Sequence, residues 1–153
     1  MNNLEWQCLS FEELDNTQLY EIMKLRSVVF VVEQDCVYLD LDDKDQQAVH
    51  VMGYSDNQLA AYTRLLAPGI KYPGASIGRV VTHPDQRGNG SGRQLMQYSL
   101  TACAERWPDA DITISAQKYL EAFYQSLGFQ TVSEPYMEDD IPHIEMLRPA
   151  TTD

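Results

Sequence analysis

The spacing of apolar residues in the first third of the chain predicts one strand and one helix. Residues 5–11 form a short mixed pattern that suits a strand. Asp15, with Gln18 three residues later, is a helix-capping pair, and apolar side chains follow it at helical spacing: Leu19, Ile22, Met23, Leu25, Val29 and Phe30. We therefore predict a helix over residues 16–30, with Lys24 and Arg26 near its end, where positive charge suits the helix dipole. The acidic residues 40–45 predict a solvated loop.

The middle of the chain predicts a hairpin and one further strand. Residues 50–54 and 59–66 are strand-like runs joined by Ser55-Asp56-Asn57-Gln58, a composition typical of a hairpin turn. Residues 76–83 are rich in apolar and β-branched side chains and predict a buried strand. Pro84 ends this strand, because proline has no N–H to donate to a neighbouring strand.

The remainder of the chain alternates between helices and strands. Residues 93–106 and 119–127 have helical patterns, while residues 111–117, 129–132 and 143–147 suit strands. Residues 134–140 predict an acidic loop between the last two strands. This order, without a Pro/Gly/Ser-rich linker, predicts a single layered α/β domain.

Composition and charge narrow the range of partners. The 153 residues carry 11 Lys and Arg against 23 Asp and Glu, a formal net charge of −12. A hydrophobic content of 44% is typical of a folded globular protein. The negative charge repels phosphate backbones and no basic cluster offsets it, so we expect no nucleic-acid partner and favour cationic ones.

No part of the sequence resembles a targeting signal, a membrane span or a metal site. The N-terminus lacks the basic start and apolar run of a secretory signal, and no stretch approaches the ~18 apolar residues of a membrane span. Cys8, Cys36 and Cys103 are odd in number and widely spaced, which suits buried or half-buried thiols in a reducing compartment. The three histidines are too scattered to suggest metal ligands. We expect a cytoplasmic protein with no metal and no membrane contact.

The segment Arg87-Gly88-Asn89-Gly90-Ser91-Gly92 lies between the predicted strand of residues 76–83 and the predicted helix of residues 93–106. Its glycines let successive backbone N–H groups converge, and the start of the helix adds partial positive charge. Three glycines exceed what a tight turn requires. The segment therefore predicts a phosphate or pyrophosphate site, with the Arg87 side chain near the anion.

Other glycine motifs do not fit this segment. The third glycine of a dinucleotide-binding motif would fall on Arg93 or Leu95, and no Gly-Lys-Ser/Thr follows as in a P-loop. A nucleophile elbow around Ser91 would need a glycine at the position of Asn89. The segment therefore matches neither of these nucleotide-binding classes nor a serine hydrolase.

Two signatures, in this order, resemble the GCN5-related N-acetyltransferases, the GNAT family. The glycine segment, after a strand that ends in Thr82-His83-Pro84, is similar to the acetyl-CoA loop of the family. Residues 122–129, Ala-Phe-Tyr-Gln-Ser-Leu-Gly-Phe, resemble its Phe-Tyr-x-x-x-Gly-Phe signature. Residues 25–34, 77–80 and 141–144 further resemble the bacterial ElaA subgroup, so the likeness covers nearly the whole chain.

The resemblance implies a fold and a reaction. The fold would be a single-domain α/β acyl-CoA N-acyltransferase fold over residues 1–153, with a mixed, mostly antiparallel sheet whose central strands splay apart between flanking helices. The reaction would be direct transfer of an acetyl group from acetyl-CoA, as donor co-substrate, to a primary amine. Assembly into a homodimer is left open.

The resemblance also implies site residues. The backbone of Val80, Val81 and Thr82 would pair with the pantetheine arm of the donor, and Gln117 would lie where the central strands splay. The pyrophosphate would be bound by the loop residues Arg87, Gly88, Asn89, Gly90, Ser91 and Gly92. Tyr124 would face the thioester sulfur as general acid, because a phenol can protonate a leaving thiolate.

The general base is not assigned by the family pattern. Many related acetyltransferases have a glutamate on the strand before the loop, but residues 78–82 contain no acid. Glu33 is our first candidate, because its segment should line the acceptor side of the sheet. His143, Glu145 and a proton relayed by water are the alternatives.

The acidic residues favour a cationic acceptor. Free amines arrive as cations and must lose a proton before they attack, so an acidic approach would concentrate them. Glu33 and the acidic stretches 40–45 and 134–140 supply such charge. We therefore expect a small cationic amine, although both acidic stretches can equally be solvated surface.

Two other functions are weighed against this one. Arg26, Phe30, Glu33 and residues 64–66 also resemble the front half of the acyl-homoserine lactone synthases, but the tryptophan usual after the position of Phe30 is missing and the chain is shorter. A non-catalytic acyl-CoA sensor would keep the loop and lose the chemistry. Retention of Tyr124 and Gln117 argues against a sensor.

Overall fold

One mixed sheet of eight strands runs through the computed structural model, which describes residues 4–150. The strands are β1 (Glu5–Ser10), β2 (Val49–Ser55), β3 (Gln58–Leu66), β4 (Ala75–Thr82), β5 (Ile112–Gln117), β6 (Gln130–Thr131), β7 (Tyr136–Glu138) and β8 (Ile141–Arg148). Their spatial order is β1-β2-β3-β4-β5-β8-β6, and β7 also pairs with β8. Every pair is antiparallel except β4 with β5, which confirms the expected mixed sheet.

Helices cover both faces of this sheet. They are α1 (Asn16–Arg26), α2 (Ser91–Arg106) and α3 (Glu121–Gln125). Leu95 of α2 and Val51 of β2 belong to one apolar cluster, whereas Ile22 of α1 and Met52 of β2 belong to another. Adjacent residues of a strand point to opposite faces, so the two clusters are two layers of core. No helix within residues 4–150 is long and apolar enough to cross a membrane.

The first helix ends earlier than its apolar pattern predicts. Asp15 caps α1 by accepting a hydrogen bond from the Gln18 N–H at 2.7 Å, as expected. The α-helix ends at Arg26, and Ser27–Glu33 continues as a π-helix. The β-branched residues that dominate this stretch favour an α-helix least among apolar side chains. Phe30 and Glu33, both within this stretch, line the cavity described below.

Of two hairpins in the sheet, local composition predicted the first and missed the second. The β2–β3 turn has positive φ at Asp56 and Asn57, 50° and 65°, which confirms the predicted hairpin. Residues 134–140, predicted as a loop, contain the short strand β7. Its hairpin turn to β8 is formed by Asp139 and Asp140 with φ of 50° and 62°. A strand of three residues is too short for its alternation to be recognised.

The central strands separate after a brief parallel contact. Only Ala75 with Ile112 and Ser76 with Thr113 are paired between β4 and β5, so both strands diverge toward their C-terminal ends. The register of β4 against β3 also shifts around Arg79, whose φ is 50°. The expected splay is confirmed, and it opens a space at the centre of the sheet.

Residues 40–45 are not the solvated loop that their acidity predicts. Asp40 and Asp45 are buried, and Arg26, at the end of α1 as predicted, is fully buried. Arg26 Nε lies 2.7 Å from Asp40 Oδ2, and its Nη1 lies 2.7 Å from Asp45 Oδ1. The arginine partners come from α1, β3 and β4, and are far from residues 40–45 in sequence, so only the fold brings the charges together.

Two further arginines complete this group, which we call the arginine–aspartate cluster (Arg26, Arg64, Arg79, Asp40, Asp42 and Asp45). Arg64 Nη1 lies 2.7 Å from Asp42 Oδ1 and 3.1 Å from Asp45 Oδ1. Arg79 Nε lies 2.7 Å from Asp40 Oδ1. Burial disfavours the charged form of Asp42, but the hydrogen bonds and charge of Arg64 outweigh this and hold its pKa below the usual range.

Candidate active site

A cavity of about 630 Å³ occupies the space where β4 and β5 diverge. The predicted site residues in its lining come from six separate elements or turns of the chain: Glu33, Val80, Val81, Thr82, Arg87, Gly92, Gln117 and Tyr124. His143 also lines it, whereas Glu145 is not among its lining residues. The other loop residues are outside the lining: the adjacent turn contains Gly88, Asn89 and Gly90, and Ser91 begins α2.

The glycine turn holds unpaired N–H groups at the start of α2. Gly88 and Gly90 both have φ of 84°, in the left-handed region that glycine adopts without strain. Ser91 N–H donates to Asn89 Oδ1 at 3.2 Å, but the N–H groups of Gly92 and Arg93 have no partner within residues 4–150. Unpaired N–H groups and the positive end of a 16-residue helix suit a bound anion.

The edge of β4 that faces β5 is open. Beyond Ser76 no described strand pairs with this edge, because β5 has already diverged. A strand edge presents N–H and C=O groups to any extended chain that carries amides. Val80, Val81 and Thr82 form this wall of the cavity, and Gln117, at the end of β5, lies on the other side of the gap.

Tyr124 combines a buried ring with access to the cavity. Its residue surface is only 6% exposed, and it packs edge-on against Phe123 and Phe129, with ring centroids 5.2 and 6.0 Å away. Its hydroxyl has no hydrogen-bond partner within residues 4–150. Burial raises the pKa of Tyr124 to about 12, so the phenol keeps its proton at neutral pH and can donate it.

Glu33 and Arg87, predicted for different tasks, lie against each other. Arg87 Nη1 lies 2.9 Å from Glu33 Oε2, and its Nη2 lies 2.6 Å from Oε1. The hydrogen bonds and charge of Arg87 lower the pKa of Glu33. This pairing makes Glu33 a weaker base and directs the Arg87 side chain toward Glu33.

A second polar group lies on the opposite wall, and we call it the His143 cluster (Ser115, Tyr136, Glu138 and His143). His143 Nδ1 lies 2.7 Å from the carbonyl oxygen of Ile141, and this contact assigns the ring proton to Nδ1 because a carbonyl only accepts. Its Nε2 lies 3.4 Å from Glu138 Oε2. The His143 ring stacks on Tyr136, whose hydroxyl lies 2.5 Å from Ser115 Oγ.

Sequence reasoning missed most of the His143 cluster. It proposed His143 as an alternative base but did not identify Ser115, Tyr136 or Glu138. Polar residues alternate along β5 and β8, where Gln117 is paired with His143 and Ser115 with Glu145. This alternation was the signal in the sequence that could have indicated a shared polar face. Recognising it requires the β5–β8 register and the existence of β7. Within residues 4–150, no group of His, Cys, Asp and Glu is arranged to hold a metal ion.

Comparison with known proteins places this geometry in a family. Residues 19–148 match the family described as Acetyltransferase (GNAT) domain. Protein ElaA of Escherichia coli strain K12 is 44% identical over 147 residues, which cover 95% of this chain and 96% of that protein. The crystal structure of Escherichia coli ElaA has a TM-score of 0.90 and covers 95% of this chain and 99% of that chain.

Solved structures extend the likeness to acyltransferases. An acyl-CoA N-acyltransferase from Pseudomonas aeruginosa has a TM-score of 0.91 at 43% identity, covering 95% of this chain and 99% of that one. The acyl-homoserine lactone synthase LasI has a TM-score of 0.73 at 17% identity and covers 99% of this chain and 92% of its own. At that identity LasI shares the fold, and no activity follows from it.

Proposed function

This chain belongs to the GNAT acetyltransferase family, and from that premise we propose that it transfers an acetyl group from acetyl-CoA directly to a primary amine. The observation that carries the proposal is the cavity between β4 and β5, because the glycine turn, the open edge of β4 and Tyr124 all border it or lie beside it. An acyl-CoA is elongated and has an anionic end, an amide-bearing arm and a reactive thioester. The glycine turn offers a match to the anionic end, the open edge of β4 to the arm, and Tyr124 to the thioester.

The donor would be held mainly by backbone groups. The N–H groups of Gly92 and Arg93 would bind the pyrophosphate at the start of α2, with Gly88 and Gly90 shaping the turn. Val80 to Thr82 would pair with the amides of the pantetheine arm. This arrangement would leave the acetyl group near the divergence of β4 and β5, between Tyr124 and the His143 cluster.

For the chemistry we assign Tyr124 as general acid and His143 as general base. His143 Nε2 would accept the proton of the acceptor ammonium, and the free amine would attack the thioester carbon. As the carbon–sulfur bond breaks, Tyr124 would donate its proton to the leaving thiolate, and its phenolate would take up the second proton that the amide nitrogen loses as the intermediate collapses. We prefer His143 to Glu33, because Glu33 is engaged by Arg87 while Glu138 lies where it would stabilise an imidazolium.

The acceptor would be cationic. We expected the acidic residues 40–45 to attract this cation, but three arginines neutralise Asp40, Asp42 and Asp45. Glu138 and Asp139 are exposed and line the cavity. An ammonium group near them would be attracted before it is deprotonated.

Release of free thiol tests the reaction. With acetyl-CoA and a panel of amines, the protein should release thiol in the presence of cationic amines, and Tyr124→Phe should lower kcat by about 10²-fold with little change in acetyl-CoA affinity. Tyr98→Phe, on α2 against Trp6 and outside the cavity lining, is the matched control and should leave kcat unchanged. Binding without thiol release for any amine would support a sensor, and a lactone product would support the synthase alternative.

Thermal stabilisation tests the donor site. Acetyl-CoA should raise the midpoint of unfolding in line with RT ln(1 + [L]/Kd), and Gly90→Glu should abolish that rise by placing charge and bulk at the pyrophosphate site. Gly69→Glu is a close control, since Gly69 also has positive φ and open space around its Cα. Retention of the rise in Gly90→Glu would refute the assignment of the glycine turn.

A further inference from the structure

In residues 37–41 the aliphatic side chains are exposed and the residues between them are partly or fully buried. The proposed chemistry assigns no role to these exposed side chains. Val37, Leu39 and Leu41 are 101%, 80% and 51% exposed, and we call these three side chains the apolar strip. Between them, Tyr38 is half-buried and Asp40 is buried, and the Tyr38 hydroxyl donates to Asp40 Oδ1 at 2.7 Å. Three large apolar side chains at alternate positions, all facing solvent, are unusual on a monomer surface and mark contact sites.

The backbone of this segment has free hydrogen-bonding groups. Asp35 and Asp43, with φ of 50° and 64°, bound it at either end. No N–H group of residues 37–41 donates a hydrogen bond to another group of the described chain. A segment with unpaired N–H groups and alternating apolar side chains resembles a sheet edge and can pair with another extended chain.

The segment is held in place by the arginine–aspartate cluster. The carbonyl oxygen of Asp40 accepts hydrogen bonds from Arg26 at 3.2 Å and from Arg79 at 2.7 Å, in addition to the ion pairs of its carboxylate. Buried anchors at the middle of the segment keep Asp40 inside and therefore keep Leu39 and Leu41 outside. The exposure of the apolar strip is thus built into the fold.

Acidic groups surround the apolar strip. Asp35 and Asp43 are exposed at its ends, and the β7–β8 turn lies beside it, because Cys36 Sγ is 3.8 Å from the carbonyl oxygen of Asp139. Lys44 is the only basic residue between positions 33 and 44. A second copy of this chain would bring two acidic rims together at a net charge of −12 each, whereas a basic partner would be attracted.

Resting on the proposed acetyl transfer, we propose that the apolar strip binds an extended basic polypeptide, with its apolar side chains on Val37 and Leu39 and one of its lysines in the cavity as acceptor. Cys36 and Tyr38 line the cavity while their neighbours form the strip, so a chain bound along the strip runs beside the cavity mouth. The acceptor class is then a lysine side chain within a polypeptide that alternates apolar and basic residues.

Peptide kinetics test this surface. The probes are a blocked peptide of alternating leucine and lysine, the same peptide with serine for leucine, and blocked free lysine. The leucine peptide should have kcat/KM about tenfold above the other two. The double variant Val37→Ser/Leu39→Ser should remove that advantage and leave turnover of blocked lysine unchanged. Val132→Ser, at an apolar residue 51% exposed elsewhere, is the matched control.

A binding measurement separates this inference from the proposed function. Anisotropy of the fluorescent leucine peptide should show binding by the unmodified protein, weakened by the double variant and by raising ionic strength from 0.01 to 0.15 M, where the Debye length falls from about 30 to about 8 Å. Binding without turnover of any amine would refute acetyl transfer and keep the surface. Equal kcat/KM for all probes, salt-independent binding, or a dimer that Leu39→Ser dissociates would overturn the inference.

Discussion

Three of the four aspartates in residues 40–45 lie against three arginines, whereas the acidic residues of 134–140 face solvent and two of them, Glu138 and Asp139, line the cavity. Asp40 and Asp45 are buried, while Glu134, Glu138, Asp139 and Asp140 are exposed. In sequence the two stretches look alike, and both were expected to attract a cationic acceptor. The difference teaches that a run of carboxylates attracts a ligand only where the fold leaves its charge unpaired.

The two regions also contribute to function in different ways. A buried ion pair is a weak source of net stability, because desolvation offsets the attraction, yet removing one partner leaves an unpaired charge and is strongly destabilising. The arginine–aspartate cluster is therefore best understood as a device that fixes the segment before β2, including Tyr38 on the cavity wall. The exposed region instead supplies Glu138 beside His143.

The largest expected effect comes from breaking the buried region. Arg26→Met should lower the free energy of unfolding by about 3 to 5 kcal/mol, because Asp40 and Asp45 would be left buried without their main partner. Urea unfolding followed by circular dichroism measures this. Lys24→Met, exposed on the same helix, should change stability by no more than about 0.5 kcal/mol. Equal effects of both variants would show that the cluster does not anchor the segment.

Next in size is a change at the buried His143, beside the exposed region, that affects catalysis and leaves folding intact. His143→Gln should lower kcat by about 10²-fold at neutral pH and remove the acidic limb of the pH–rate profile, because the proton acceptor is lost.

Glu33→Gln is the matched comparison for the general base. It should leave that limb in place, since Glu33 is engaged by Arg87. Steady-state thiol release across pH 5 to 9 distinguishes the two variants. If Glu33→Gln removes the acidic limb and His143→Gln does not, the general base is Glu33 and its assignment to His143 is refuted.

The smallest effect concerns the response to acid. Burial opposes ionisation of Asp45, but hydrogen bonds and charge from Arg26 and Arg64 outweigh it and lower the pKa of Asp45 in the folded chain. Its stabilising contribution is therefore complete above the ordinary aspartate pKa of about 4 and is lost as pH falls toward the folded-state pKa.

The dependence of stability on pH should differ between variants in the two acidic regions. Asp45→Asn should be less stable at pH 6 and should lose less further stability between pH 5 and 3 than the unmodified protein. Glu134→Gln, exposed in the other acidic region and without an ion pair in the described chain, should keep the slope of the unmodified protein. Thermal midpoints across this pH range measure the slopes, and identical slopes for all three proteins would contradict the prediction.

Much of the site was predictable because its signals are local. The glycine turn between a strand and a helix, the capping pair at Asp15 and the Phe-Tyr-x-x-x-Gly-Phe signature each depend on neighbours in sequence. Backbone conformation and short-range hydrogen bonds determine such features, so composition and spacing are sufficient to indicate them. The catalytic roles of Tyr124, Glu33 and His143 stay predictions until the variants above are measured.

The sequence by itself determined the order of the helices and of every strand except the short β7, the family and the position of the glycine turn, because these depend on spacing along the chain. Tertiary structure alone decided which charges are free. Arg26, Arg64 and Arg79 meet three aspartates across long stretches of chain, and Glu33 meets Arg87 across 54 positions. Coulomb attraction and desolvation depend on distance in space and on burial, and neither quantity can be read from separation along the chain.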